Sequence, residues 1–172
     1  PFEYVRRDIE GSDAETRRRV SCELVRGLCR NYEKEVTELF SVDIAALLGS
    51  YSSNAATNWK SKDVAIYLVI ALTLKGGTAK LGATRTNQLV NLMDFYGQHV
   101  LPELQVAASS GTSAPHLIIA ADAIKFVSLF RTQFDVATYR QVMPLLIQLL
   151  GNGQLVVHTY AASAIERLLT VK

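Results

Sequence analysis

The chain has 172 residues, 49% of them hydrophobic and 20% charged, with 10 glycines and 4 prolines. That composition excludes a disordered polymer and allows a sizeable core, but not two large domains. The formal net charge is +2, so no global field draws the chain to nucleic acid or to a membrane surface. No signal peptide or apolar run of spanning length occurs.

Glu3 to Leu28 reads EYVRRDIEGSDAETRRRVSCELVRGL and has the densest charge of both signs in the chain. Ser12 and Glu15 form an S-x-x-E capping box, with Asp13 adding negative charge to the first turn, so a first helix is expected from Ser12 to near Asn31. Val20, Leu24, Val25 and Leu28 recur along it at helical spacing. Cys22 and Cys29 flank that stripe, about 10 Å apart along the axis. This is too far for a disulfide, and no histidine stands near enough for a zinc pattern, so both are expected to be buried packing residues.

A second helix is expected from Lys34 to Tyr51, with Val36, Leu39, Phe40, Ile44, Leu47 and Leu48 on one face. Asn58 is the expected N-cap of a third, Trp59 to Lys75, whose middle VAIYLVIALTL is apolar almost all round and so should be covered on every side. Trp59 reads as packing rather than as a binding hot spot, with Lys60 and Lys62 on the solvent side. Gly76 to Thr86 is a loop. A fourth helix is expected over Asn87 to His99, bent or ended by Pro102, and Val106 to Ala114 reads as a flexible connection. A fifth runs from Pro115 to Phe130. Asp135 caps a sixth, Val136 to Leu150, in which Pro144 should produce a kink. Gly151–Asn152–Gly153 is a sharp stop before a seventh, Leu155 to Leu169.

Seven helices and no convincing strand give an all-α chain. Alternate helices begin near residues 13, 59, 115 and 155, a repeat of roughly 40 to 55 residues that fits HEAT or armadillo arrays. The expected fold is therefore a HEAT/armadillo-like α-α superhelix, or solenoid, of about three and a half helix pairs. The approximate repeats are 12–54, 58–105, 115–150 and a partial 155–172, and a closed seven-helix globule is the structural alternative. Pro1 falls mid-pattern and Lys172 follows directly on a helical run, so a fragment of a longer solenoid is expected. Exposed apolar repeat faces at its ends would make it self-associate.

No catalytic constellation stands out. His99, His116 and His158 lie on separate helices without an acidic partner at triad or ligand spacing. Gly76, Gly77 and Gly82 match neither phosphate-binding glycine pattern. The chain is expected to be no enzyme and to carry no cofactor and no metal. Arg6 and Arg7, then Arg17, Arg18 and Arg19, could contact phosphates, but Glu3, Asp8, Glu10, Asp13 and Glu15 among them cancel most of the field. Mixed-sign density suits protein recognition through bidentate Arg–carboxylate pairs. It equally suits a solvated helix start whose charges pair among themselves. Both readings stand at this point.

Three runs go beyond a generic array: EYVRRDIEGSDAETRRRVSCELVRGL, NWKSKDVAIYLV and VVHTYAASAIERLL. Together they resemble the middle of the exportin-2 family of the importin-β (karyopherin) superfamily, with Gln88–Leu92 and Val100–Leu104 matching between them. Gly76 to Thr86 and Val106 to His116 match least. The resemblance implies a nuclear export receptor, shuttling between nucleus and cytoplasm, that binds importin-α as cargo together with Ran in its GTP state. It also allows nucleoporins as partners, and implies neither nucleic acid nor membrane. It assigns a protein-contact role to the Asp8 to Arg19 run, and so to Asp8, Glu10, Asp13, Arg17, Arg18 and Arg19, and the mixed-charge reading adds Arg6 and Arg7. It places helices two, four and six on the inner face, where Lys34, Glu35, Glu38, Asp94 and Arg140 could meet partners. A generic HEAT scaffold with unrelated partners is the alternative function, and a nucleic-acid-binding repeat a third.

Overall fold

A computed structural model describes residues 16–76, 82–109 and 116–170, together with Val5. The Ser12–Glu15 capping box and Pro115 lie outside the described residues. Helices α1 (Arg17–Asn31), α2 (Glu33–Ser53) and α3 (Trp59–Thr73) come first. Helix α4 is one run in three parts, α-helical over Leu92–Phe95, π-helical over Tyr96–Val100 and α-helical again over Leu101–Ser109. Helices α5 (Leu117–Phe130), α6 (Val136–Leu150) and α7 (Leu155–Leu169) follow, with a 3₁₀ turn, Arg131–Gln133, after α5. The described residues fall into two units, 16–76 with 85–93, and 82–84 with 94–170.

In the first unit α3 is the covered element. Its residues from Lys62 to Thr73 are almost all buried, on every side of the helix. Each large apolar side chain removed from water contributes about 1.5–3 kcal/mol, so α1 and α2 are held against α3 chiefly by its own circumference. The turn after α3 is closed by backbone bonds. Leu74 bridges Thr86, Lys75 N–H donates to the Arg85 carbonyl at 3.1 Å, and Asn87 N–H donates to the Thr73 carbonyl at 2.9 Å. The buried Asn87 side chain also donates to Thr37 Oγ1 of α2 at 2.9 Å and accepts from Leu89 N–H. Through its backbone and its side chain Asn87 thereby ties the turn to both α3 and α2, and its side-chain polar atoms are satisfied where no water reaches them.

In the second unit two runs of ring contacts start on α4, one passing along α5 and the other reaching α6. Phe95 meets Phe126 at 5.7 Å between ring centroids, Phe126 meets Phe130 at 4.7 Å, Tyr96 meets Phe134 at 5.1 Å, and Phe134 meets Tyr139 at 6.4 Å. All are tilted or edge-on, the arrangements that ring quadrupoles favour. The Tyr96 hydroxyl is buried with no hydrogen-bond partner among the described residues, and loss of water pushes its pKa up to about 12.

Several expectations are corrected. Helix α1 starts at Arg17, because Thr16 is extended and its hydroxyl accepts from Arg19 N–H at 3.2 Å, making it the N-cap. Val20 and Leu24 are 54% and 64% exposed, so of the expected α1 stripe Val25 alone is buried. Leu39 of α2 is exposed as well. Both cysteines are half-buried rather than buried. Helix α3 stops at Thr73, where Leu74 turns extended to make its bridge. Asn58 does not cap α3 with its side chain, which instead donates to the Ser50 carbonyl of α2 at 2.8 Å.

Helix α4 starts at Leu92, since residues 87–90 form the Asn87 turn, and it passes Pro102 to reach Ser109. Val106 to Ser109, expected in a connection, are therefore helical. A proline has no N–H to donate, and its ring crowds the carbonyl four residues back. The π turn just ahead absorbs this, with Leu101 N–H reaching back to the Tyr96 carbonyl. Lys62, expected toward solvent, is 4% exposed, with its ammonium 4.7 Å from the centre of the Tyr51 ring.

Gly82 has φ of 81°, and an added Cβ would lie 2.9 Å from both the Leu129 carbonyl oxygen and Arg131 Nη1. The next residue is pinned on both sides. Ala83 N–H donates to the Leu129 carbonyl at 2.8 Å, and the Ala83 carbonyl accepts from Thr132 Oγ1 and Gln133 Nε2. Gly82→Ala should therefore destabilise the chain by about 1–3 kcal/mol in urea unfolding, and a change within about 0.5 kcal/mol would contradict the tight approach.

Asp135 caps α6 as expected, its Oδ1 accepting from both Thr138 N–H and Thr138 Oγ1 at 2.7 Å. The bond from the Thr138 hydroxyl, then that from its backbone N–H, holds the carboxyl below its ordinary value. A depressed folded-state pKa contributes stability above the unfolded value and loses it as pH falls through the folded one. The melting-temperature gap between wild type and Asp135→Asn should thus narrow below about pH 4. A gap constant from pH 6 to 2.5 would show that the cap bond is not made.

Candidate protein-binding surface

The N-terminal turn of α1 sets Arg17, Arg18 and Arg19 at successive 100° steps, so three adjacent arginines must point in three directions. They also sit at the positive end of the helix dipole, where each cation costs about 0.3–1 kcal/mol. Among the described residues one of them is repaid. Arg18 Nη2 donates to Asp63 Oδ2 of α3 at 2.6 Å, and its guanidinium lies 4.2 Å from the centre of the Tyr67 ring. Arg17 and Arg19 are exposed and have no acidic partner among the described residues. Arg6, Arg7, Asp8, Glu10 and Asp13 lie outside the described residues.

Between α1 and α3 runs a groove of about 310 Å³, with Arg17 and Arg18 at one end and Val25 and Ala71 among its lining residues further along. Cys22, Tyr67 and Leu68 line it as well. Its walls extend from Arg17 to Val25 on α1 and from Asp63 to Ala71 on α3, nine residues each, so it is about 12 Å long. The Arg18–Asp63 pair closes the charged end. Asp63 and Tyr67 were not singled out as site residues in the sequence; the acid at the end of NWKSKD was the available signal.

The remaining candidates do not join this site. Lys34, Glu35 and Glu38 are exposed at the start of α2, and the length of α1 separates them from Arg17 by about 20 Å. Lys34 and Glu38 pair at 3.9 Å with 74% and 68% of their side chains exposed, a contact that contributes well under about 1 kcal/mol. Asp94 and Arg140 are exposed residues of the other unit.

The histidines serve locally. His116 caps α5, its Nδ1 accepting from Ile118 N–H at 3.3 Å, His99 packs at a tilt against Phe95, and His158 Nδ1 lies 3.1 Å from the Asn152 carbonyl. Among the described residues no three His, Cys, Asp or Glu side chains cluster as a metal site. No described helix is long and apolar enough to cross a membrane.

Arg131 is buried, donating to the Ser128 carbonyl at 2.6 Å. Burial, then the neighbouring Arg167 cation, lowers its pKa, while burial raises that of Tyr139, whose hydroxyl donates to the Arg131 carbonyl. Cys29 is likewise pushed up, by burial and then by Glu33, which makes it a poor nucleophile.

The described helices, which offer exposed arginines and an apolar groove, pack in the fold class of the HEAT-repeat karyopherins. The pattern of the Cse1 family matches residues 1–165, and the chain belongs to that family, the exportin-2 family. Exportin-2 of Xenopus laevis is 46% identical over 170 residues, 99% of this chain and 17% of that protein. Exportin-2 of Oreochromis niloticus is 48% identical and that of Homo sapiens 46% over the same span. A solved structure, the exportin Cse1 in its cargo-free, cytoplasmic state, superposes with a TM-score of 0.89 at 39% identity, over 99% of this chain and 18% of that one. The chain thus spans under a fifth of the length of these relatives. The family is one of non-enzymatic transport receptors.

Removing one member of the Arg18–Asp63 pair should cost more than a surface pair does. The Asp63 side chain is 10% exposed and that of Arg18 35%, so Arg18→Ala should destabilise by about 1–3 kcal/mol, short of the 3–5 kcal/mol of a fully buried pair. Arg17→Ala should stay within about 0.5 kcal/mol. Equal urea midpoints for the two variants would place Arg18 on the surface.

Proposed function

We propose that this chain is a central segment of an exportin-2-type receptor. The receptor binds importin-α as cargo together with Ran in its GTP state and returns it from nucleus to cytoplasm. The observation that carries the reading is the 46–48% identity to exportin-2 proteins over 99% of the chain. The physical logic of a helical array supports it. Each repeat contacts only its neighbours, so small changes at successive interfaces add into large changes of curvature. Two partners that favour the same curvature then raise each other's affinity reciprocally.

On this reading the chain is divided into helix pairs near 12–54, 58–105 and 115–150, with a partial pair at 155–172. Contacts fall on the charged segment, Arg6, Arg7, Asp8, Glu10, Asp13, Arg17 and Arg19, while Arg18 is occupied in holding α1 to α3. Lys34, Glu35, Glu38, Asp94 and Arg140 are secondary contact positions, and nucleoporins a further class of partner.

The test uses the full-length receptor that contains this chain. Immobilised receptor should capture importin-α in the presence of RanGTP and not with RanGDP. Replacing Arg17 and Arg19 together by Glu should weaken that capture about tenfold or more, the effect of losing charge-assisted contacts. Capture that ignores the nucleotide state of Ran would sink the transport reading and favour a general interaction scaffold. Nucleotide-dependent capture untouched by the double substitution would remove Arg17 and Arg19 from the contact surface.

A further inference from the structure

We propose that the groove between α1 and α3 is a docking site for a short segment of a partner protein, with apolar side chains at one end and a carboxylate at the other. The proposal rests on the preceding reading only in taking the chain for a protein-binding segment; it requires neither Ran nor importin-α. Its argument is the polarity of the groove. Arg18 and Asp63 face one another near the starts of α1 and α3, while Val25 and Ala71 lie two turns further along, so the two helices run parallel. Their positive N-terminal ends then lie at the same end of the groove.

Of the charged residues that line it, Asp63 is already matched by Arg18, and Arg17 remains without an acid among the described residues. The charged end therefore attracts an anion. The rest of the groove, walled by Cys22, Val25, Leu68 and Ala71, attracts aliphatic or aromatic groups. A volume of about 310 Å³ is at the small end of ligand pockets, and a length of about 12 Å holds three or four extended residues. The fitting motif therefore has one or two apolar anchors and an Asp or Glu no more than about three residues away. A basic peptide is rejected by Arg17, and a purely apolar one leaves that guanidinium without a partner.

The test is a panel of fluorescent peptides holding two leucines and two aspartates separated by zero to three serines, in both orders, with matched peptides carrying lysine in place of aspartate. Fluorescence anisotropy should show at least one acidic spacing binding with Kd below about 1 mM. Its lysine counterpart should bind at least tenfold more weakly. Arg17→Glu and Val64→Lys, both at exposed positions that line the groove, should each weaken the acidic peptide tenfold without lowering the melting temperature. In a Cys29→Ser background, the bound peptide should slow alkylation of Cys22.

No binding by any peptide up to 1 mM, equal affinity for acidic and basic sets, or binding without protection of Cys22 would each overturn the proposal. So would a concentration-dependent dimer that Val64→Lys dissolves, which would seat a second copy in the groove. RanGTP-dependent capture by the full receptor is read separately, so either result can fail alone.

Discussion

Two helices, α3 and α5, carry apolar side chains round their whole circumference, and a helix of that kind cannot be left against water on any side. In the first unit α1 and α2 cover α3. In the second, α4 and α7 pack on α5. Burial also decides what becomes of the polar residues caught in these helices. Lys62 and Asp63 lie on α3 because the chain is continuous there, and each is matched, the ammonium by the Tyr51 ring and the carboxylate by Arg18. A lone charge at either place would cost several kcal/mol. The Arg18–Asp63 pair is therefore a consequence of α3 being buried, and it fixes how α1 lies against α3.

This sorts the arginine run in a way that composition does not. Three consecutive basic residues look like one patch when written in a line. Wound into a helix turn they separate, so Arg18 faces a neighbouring helix while Arg17 and Arg19 remain at the surface. The identity of this chain to exportin-2 proteins says which family the turn belongs to. The geometry says which of its charges are still available to meet something else.

The sequence was most legible where its punctuation was unambiguous. Helices α6 and α7 have the bounds read from Asp135, from Gly151–Asn152–Gly153 and from the apolar period. Helix α3 was placed by its unbroken apolar run, short only of the two residues that leave to bridge Thr86. It was least legible where two local signals competed. Ser12 and Thr16 can both cap a helix, and Thr16 does so for α1. Pro102 marks a break by its own chemistry, but a π turn lets α4 continue past it, and no residue type announces a π turn. The groove was illegible because it depends on Arg18 and Asp63 meeting across 45 positions. Lys62 was misplaced because a long alkyl stem can carry an ammonium to an aromatic face that periodicity cannot locate.

Gly82 and Ala83 bear on how the chain can be divided. They follow α3 in sequence, yet their hydrogen bonds are made with residues 129–133, far downstream. A fragment beginning at α4 would retain every residue of α5, α6 and α7. It would nevertheless leave the Leu129 carbonyl, Thr132 and Gln133 without Ala83, and Arg131 without the glycine packed against it. The smallest autonomous piece of the C-terminal half therefore includes a short upstream strap. Boundaries drawn between helix pairs thus cut through these hydrogen bonds.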